Sequence, residues 1–178
     1  MNHDARQRAR RIRLVAFDVD GVLTDGSIAY TERGDEIKTF NAQDGSAIKR
    51  LIDSGIEVAL ITGRRSPMVE RRAAELGIRH LYMGVADKAG ALARLLHELQ
   101  LDHSACAYVG DDVPDLPVFK AVGLAVSVPN GHPEVRKAAH HVTERAGGHG
   151  AASDVGSLIL AARNAPGAAN EGGLLKAP

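Results

Sequence analysis

The chain has 178 residues and zero formal net charge, with Lys plus Arg and Asp plus Glu at 22 each. Hydrophobic residues make up 44%, which suits one compact domain with its own core. The charge balance gives no sign of a nucleic-acid or membrane surface, and 3% aromatics without Trp argue against a base-stacking platform. The one cysteine, Cys106, lies in an apolar run and is expected to be a small buried core residue.

Residues 1–12 form a basic leader, with Arg6, Arg8, Arg10 and Arg11 ahead of Arg13, expected to be solvated and partly frayed. It lacks the apolar stretch of a signal peptide, and no run is long enough to span a bilayer, so a cytoplasmic protein is expected. Short apolar runs then alternate with helical patterns, as in a parallel sheet covered by helices. Strands are predicted at 14–17, 58–62, 80–83, 107–109 and 124–128, with a weaker one near Val142. Helices are predicted at 46–54, 67–76, 87–99, 114–122, 133–139 and 152–163. The helix at 87–99 is the clearest, because Leu92, Leu95, Leu96 and Leu99 share one face and Asp87 can cap it. One segment breaks the alternation. Residues 27–40 place Ile28, Tyr30, Ile37 and Phe40 around Glu32-Arg33-Gly34-Asp35 and predict an inserted β-hairpin. The expected fold is α/β, a Rossmann-like parallel sheet with helices on both faces over 13–164, without a separate cap domain. A flexible Gly, Ala and Pro-rich tail is expected over 165–178.

In an open parallel sheet, sites form beyond the carboxyl ends of the strands. Three of the predicted strands end in polar clusters: Asp18-Val19-Asp20-Gly21-Val22-Leu23-Thr24, Thr62-Gly63-Arg64, and Gly110-Asp111-Asp112-Val113-Pro114-Asp115. Asp87-Lys88 stands ahead of the clearest helix. Taken singly, each could be a helix cap or turn. Together they bring several carboxylates, a hydroxyl and an ammonium to one sheet edge. Ionised carboxylates cannot share a small pocket without a counter-charge, and an all-oxygen donor set favours Mg²⁺. Such a site is suited to a dianionic phosphoryl group.

These motifs, in this order, resemble the haloacid dehalogenase superfamily. Residues 17–26, Asn41-Ala42-Gln43-Asp44-Gly45 and Ile61-Thr62-Gly63-Arg64 are similar to the 3-deoxy-D-manno-octulosonate 8-phosphate phosphatases within it. The resemblance implies a catalytic set of Asp18 as nucleophile, Asp20 as acid and base, Thr62 and Lys88. It implies Mg²⁺ held by the side chains of Asp18 and Asp111 and the carbonyl of Asp20, with Asp112 an alternative ligand or a partner to one. Asp115 either meets the metal through water or caps the next helix. Thr24 and Asp25 read as turn residues. The implied substrate contacts are Asp20, Asn41, Ala42, Gln43, Asp44, Gly45, Lys49, Arg64, Arg72 and Lys88. His149 and Ser153 stand where the family's Gly-rich segment often carries arginines.

What the resemblance implies is hydrolysis of a sugar-acid phosphate in lipopolysaccharide (Kdo) biosynthesis, by a homotetramer whose neighbouring subunits complete each site. Three other readings share the motifs. A nine-carbon nonulosonic acid 9-phosphate is one alternative substrate. A phosphomutase would need a cap that excludes water, and no insert between Asp20 and Thr62 or between Lys88 and Asp111 is large enough. A non-catalytic oligomerising domain would have no need of Asp18, Asp20, Thr62, Lys88 and Asp111 together.

Overall fold

A computed structural model describes residues 3–165 of the chain. In chain order the first half contains α1 (His3–Ala9), β1 (Leu14–Phe17), β2 (Ala29–Tyr30), β3 (Glu36–Ile37), α2 (Ala42–Asp53), β4 (Glu57–Thr62) and α3 (Pro67–Leu76). The second half contains β5 (His80–Met83), α4 (Lys88–Glu98), β6 (Cys106–Val109), α5 (Leu116–Phe119), β7 (Leu124–Ser127), α6 (Pro133–Ala138), β8 (His141–Val142) and α7 (Ala151–Arg163).

All four residues of β1 are buried, as a strand covered on both faces requires. Side chains alternate along a strand. Val15 and Phe17 therefore enter a core built with α1, α2, α3 and α7, while Leu14 and Ala16 enter one built with α4, α5 and α6. The sheet is parallel throughout, in the order β5-β4-β1-β6-β7-β8. The chain winds outward from β1 through β4 in one direction and from β6 through β7 in the other. The strand order thus reverses between β1 and β6, where a crevice opens at the carboxyl edge. Cys106 is buried on β6, and burial pushes its thiol well above the usual range.

The residues predicted to be a frayed leader instead form α1. Ala5, Ala9 and Ile12 recur at helical spacing, are fully buried and pack in the core that α7 shares. Arg8 fastens the helix by donating to the Gly123 carbonyl at 2.9 Å, and its guanidinium pairs with Asp4 at 2.8 Å. α2 begins earlier than expected, because Asn41 caps it by accepting from the Gln43 and Asp44 amides at 2.7 and 3.3 Å. Gly45, left just outside the predicted helix at 46–54, lies inside the helix. A Cβ there would fall 2.3 Å from Arg72 Nη2, so the missing side chain makes room for α3. The predicted helix from Pro114 is a 3₁₀ turn (Val113–Asp115) followed by the short α5. The hairpin is antiparallel, with Ala29 opposite Ile37 and Tyr30 opposite Glu36, and its strands have only two residues each. It is the one sheet inserted between β1 and α2 among the described residues, and no separate cap domain covers the crevice. Of the predicted tail 165–178, all but Ala165 lies outside the described residues.

Candidate active site

Asp18 follows β1 directly. Its amide donates to the Val109 carbonyl at 2.9 Å, which fixes it beside the end of β6 at the crevice. Its Oδ1 accepts from the Val19 amide at 2.7 Å, and its Oδ2 lies 2.8 Å from Lys88 Nζ. The chain then turns sharply through Gly21, whose φ of 88° is a left-handed value that glycine adopts without penalty. A Cβ on Gly21 would fall 2.1 Å from Asp111 Oδ2, so a side chain there would collide with the carboxylate from β6. Thr24 Oγ1 accepts from the Gly21 and Gly26 amides, and Asp25 Oδ1 accepts from the Ser27 amide, so both are turn residues as predicted.

Carboxylate oxygens of Asp18, Asp111 and Asp115 lie within 4.8 Å of one another. Lys88, at the first turn of α4 behind its cap Asp87, reaches Asp18 and also Asp115 Oδ1 at 2.7 Å. One ammonium cannot balance three carboxylates. Burial, with Asp115 nearby, outweighs Lys88 and the Val19 amide and raises Asp18 to about 6. Burial and the charges of Asp18, Asp115 and Asp112 raise Asp111 to about 7. Burial alone would lower Lys88, but Asp18 and Asp115 reverse it, and its pKa is raised. Asp111 Oδ1 is buried without a hydrogen-bond partner. A hard, oxygen-only cluster with excess negative charge and an unpartnered oxygen fits a divalent cation of the Mg²⁺ type.

Asp115 is fully buried and does more than cap. It accepts from Tyr108 Oη at 2.8 Å and from the Asp111 and Asp112 amides at 3.0 and 3.2 Å. It therefore supports both Lys88 and the loop that carries Asp111. Asp112 is exposed and caps the turn through Val113, so the cluster takes Asp111 rather than Asp112.

A cavity of about 420 Å³ opens over this cluster, lined by Asp18, Asp20, Thr62, Gly63, Arg64, Gly84, Val85, Ala86, Lys88, Asp111, Asp112 and Pro114. Thr62 ends β4, is buried and accepts from the Arg64 amide at 3.3 Å. Arg64 Nη2 pairs with Glu36 Oε1 of the hairpin at 2.7 Å. Lys38, just beyond β3, donates to Asp20 Oδ1. Of the predicted substrate contacts, Asp20, Arg64 and Lys88 line the cavity.

The others do not line it within one chain. Asn41, Ala42, Gln43, Asp44 and Gly45 are the cap and first turn of α2, which starts ahead of the predicted 46–54. Asp44 is buried and accepts from the Gly150 and Ser153 amides at 3.2 and 2.8 Å, which satisfies the start of α7. Gln43 Oε1 accepts from Arg145 at 3.1 Å. Lys49 is exposed along α2. Arg72 stacks over Phe40 at 5.8 Å and donates to the Asn41 carbonyl at 3.2 Å, holding α3 against α2.

The Gly-rich segment buttresses the loop that follows Asp18. Gly148 donates to the Val22 carbonyl at 3.0 Å. Asn130 bridges the two loops, donating to the Gly21 carbonyl at 2.9 Å and accepting from the Gly147 amide at 2.8 Å. Sequence reading missed Asn130, Glu36 and Lys38. The hairpin pair had a signal, since Glu36 and Lys38 alternate with apolar Ile37 and so share the opposite face.

Residues 80–153 match the family model of haloacid dehalogenase-like hydrolases. The 3-deoxy-D-manno-octulosonate 8-phosphate phosphatase KdsC of Yersinia pestis is 49% identical over 161 residues, which is 90% of this chain and 86% of that one. Two solved structures superpose with a TM-score of 0.90 over 92% of this chain. One is a probable YrbI-family phosphatase from Pseudomonas syringae, 52% identical and covered over 93% of its length. The other is the 3-deoxy-D-manno-octulosonate 8-phosphate phosphatase of Moraxella catarrhalis in complex with a magnesium ion, a phosphate ion and a KDO molecule. It is 46% identical and covered over 94%. The chain belongs to the 3-deoxy-D-manno-octulosonate 8-phosphate phosphatase family of the haloacid dehalogenase-like hydrolases, and it is a phosphatase.

Proposed function

We propose that this chain hydrolyses 3-deoxy-D-manno-octulosonate 8-phosphate to the free sugar acid and phosphate, with Mg²⁺ as cofactor, in Kdo biosynthesis. The observation that carries the reading is the buried Asp18 at the floor of an open cavity, paired with Lys88, clustered with Asp111 and faced by Arg64.

In the first step an Asp18 carboxylate oxygen bonds to phosphorus as the bond from phosphorus to the sugar oxygen breaks. Asp20 gives its proton to the departing alkoxide. In the second step a water oxygen attacks phosphorus while Asp20 takes the water proton. The bond from Asp18 to phosphorus breaks, which releases phosphate and restores both carboxyl groups. Thr62 donates a hydrogen bond to a phosphoryl oxygen, and Lys88 neutralises charge on the nucleophile and the transferring group. Asp18, Asp111 and the Asp20 carbonyl would hold Mg²⁺, which when bound offsets the negative charge of the phosphoryl group and its nucleophile. Arg64 supplies a planar fork for the sugar-acid carboxylate or its neighbouring hydroxyls.

The proposed assembly is a homotetramer. Ile28, Tyr30 and Ile37 are 56%, 62% and 50% exposed on a hairpin with two-residue strands, which supports burial against other chains. Asn41, Gln43 and Arg72 lie outside their own cavity, which supports a site completed by a neighbour. No helix among the described residues is long and apolar enough to cross a membrane. We place the reaction in the cytoplasm on the absence of a cysteine framework, Cys106 being a lone buried thiol.

The test is phosphate release from a panel of sugar phosphates that includes the eight-carbon acid and a nine-carbon nonulosonic acid 9-phosphate. Turnover of the eight-carbon ester with Mg²⁺, its loss on chelation and its loss in folded Asp18→Asn are expected. Preference for the nine-carbon ester would overturn the substrate assignment. Turnover by Asp18→Asn would overturn the nucleophile.

A further inference from the structure

The Lys38 side chain is 2% exposed, unlike most hairpin lysines, and such burial of an ammonium requires anionic partners. It has two. Lys38 Nζ donates to Asp20 Oδ1 and lies 3.4 Å from Glu36 Oε1. The same Glu36 oxygen accepts from Arg64 Nη2 at 2.7 Å, and its other oxygen accepts from Ser66 Oγ at 2.8 Å. The result is an alternating chain of charges, Asp20, Lys38, Glu36 and Arg64. Its two ends line the cavity and its two middle members do not. The hairpin therefore holds, from behind, both the acid and base of the reaction and a cation of the substrate wall.

We infer that Lys38 is a positioning residue for Asp20, aiming its carboxyl group at the leaving oxygen in the first step and at the attacking water in the second. The inference rests on the proposed two-step phosphatase reaction. The geometry has a specific reason to matter. Asp20 sits on a loop just before the left-handed Gly21, and Lys38 is the side chain that hydrogen-bonds its carboxylate among the described residues. A misplacement of about 1 Å in such a group costs on the order of a hundredfold in rate.

The experiment compares the full-length wild type with Lys38→Gln and Lys38→Arg on two Mg²⁺-supported substrates. One is the eight-carbon sugar-acid phosphate, whose alkoxide must be protonated as it leaves. The other is p-nitrophenyl phosphate, whose leaving group needs no proton. For the sugar ester, Lys38→Gln should lower kcat roughly a hundredfold and leave KM within about twofold. For the aryl ester it should release nitrophenolate in a rapid burst at near the wild-type rate and then turn over slowly, because the second step still needs Asp20. Lys38→Arg should recover part of the second-step rate.

If Lys38 merely anchors the hairpin, burst and steady-state rates fall together, or KM changes with kcat held, and either result overturns the inference. If Lys38→Gln does not fold, Lys38→Arg decides alone. A lowered second-step rate at unchanged KM supports the inference, and wild-type kinetics overturn it. Failure of the wild type on the sugar ester would overturn the substrate proposal instead. The aryl-ester burst would still test Lys38.

Discussion

Replacing Lys88 with methionine tests the electrostatic account of the site most directly. Methionine keeps the length and apolar stem but removes the charge that lies 2.8 Å from Asp18 and 2.7 Å from Asp115. Asp115 is fully buried and the Lys88 side chain is 7% exposed, so water cannot replace the lost partner. Removing one member of a buried ion pair costs about 3–5 kcal/mol. That cost should depend on pH and metal. Asp18 and Asp111 have folded pKa values of about 6 and about 7, above the ordinary 3.8. The folded protein thus binds more protons than the unfolded chain between about pH 4 and pH 7. Metal-free stability falls as pH rises through that window and returns on acidification. Without Lys88 the slope steepens, because the carboxylates face one another unscreened. Mg²⁺ supplies a replacement charge and stabilises only the folded state. Urea unfolding followed by far-UV circular dichroism, suited to a chain without Trp, is the assay. Near pH 7.5 without metal, the loss should be about 3–5 kcal/mol. It should shrink near pH 5 and again with saturating Mg²⁺. A loss below about 1 kcal/mol, the scale of an exposed pair, would refute the reasoning. So would a loss indifferent to both pH and Mg²⁺.

Two further predictions concern parts of the chain away from the charges. Gly147→Ala would place a Cβ 1.8 Å from the Gly21 carbonyl oxygen and 3.0 Å from that of Thr24. It should destabilise the fold by about 1–3 kcal/mol, the range for overpacking, and lower kcat by shifting the nucleophile loop; thermal melts and steady-state kinetics check both, and wild-type values for each would refute it. Ile37→Glu puts a charge on the exposed hairpin face, so light scattering should report a smaller assembly of folded chains, with activity falling if neighbours complete the site. A wild-type chain that already runs as a monomer would remove the basis for this prediction.

The legible parts of the fold were those in which local chemistry and tertiary demand agree. The apolar run that becomes β1 is buried on both faces, and Pro67 begins α3 where its missing amide costs nothing. The misread parts are those in which a tertiary contact reverses a local preference. Gly45 signals a break in isolation, but in the fold its missing side chain admits Arg72, so the helix runs through it. Ala5, Ala9 and Ile12 form too thin a stripe to stand out among arginines, yet α7 and the sheet supply the surface that buries them. Asp44 looked like a substrate ligand because its motif invited that reading, and the structure spends both its oxygens on the start of α7.

The same contrast separates the two tiers of the site. Asp18, Asp20, Thr62, Lys88 and Asp111 could be found from sequence because strand ends must deliver side chains to one sheet edge, whatever the rest of the fold does. Asp115, Asn130, Glu36 and Lys38 act on those residues across loops that are distant in sequence, and no single motif encodes such a pairing. Asn130 bridges to Gly21 across a separation of 109 residues. Lys38 reaches Asp20 only because a hairpin of two-residue strands folds back over the crevice. A hairpin that short is not stable alone. Within one chain it is tied down through Glu36 to Arg64 and Ser66, while Ile28, Tyr30 and Ile37 stay exposed for a proposed neighbour to strengthen that hold. In the proposed assembly, catalysis is linked to association through one element, because a neighbour that packed on the hairpin would also fix Lys38, and through Lys38 the carboxyl group of Asp20.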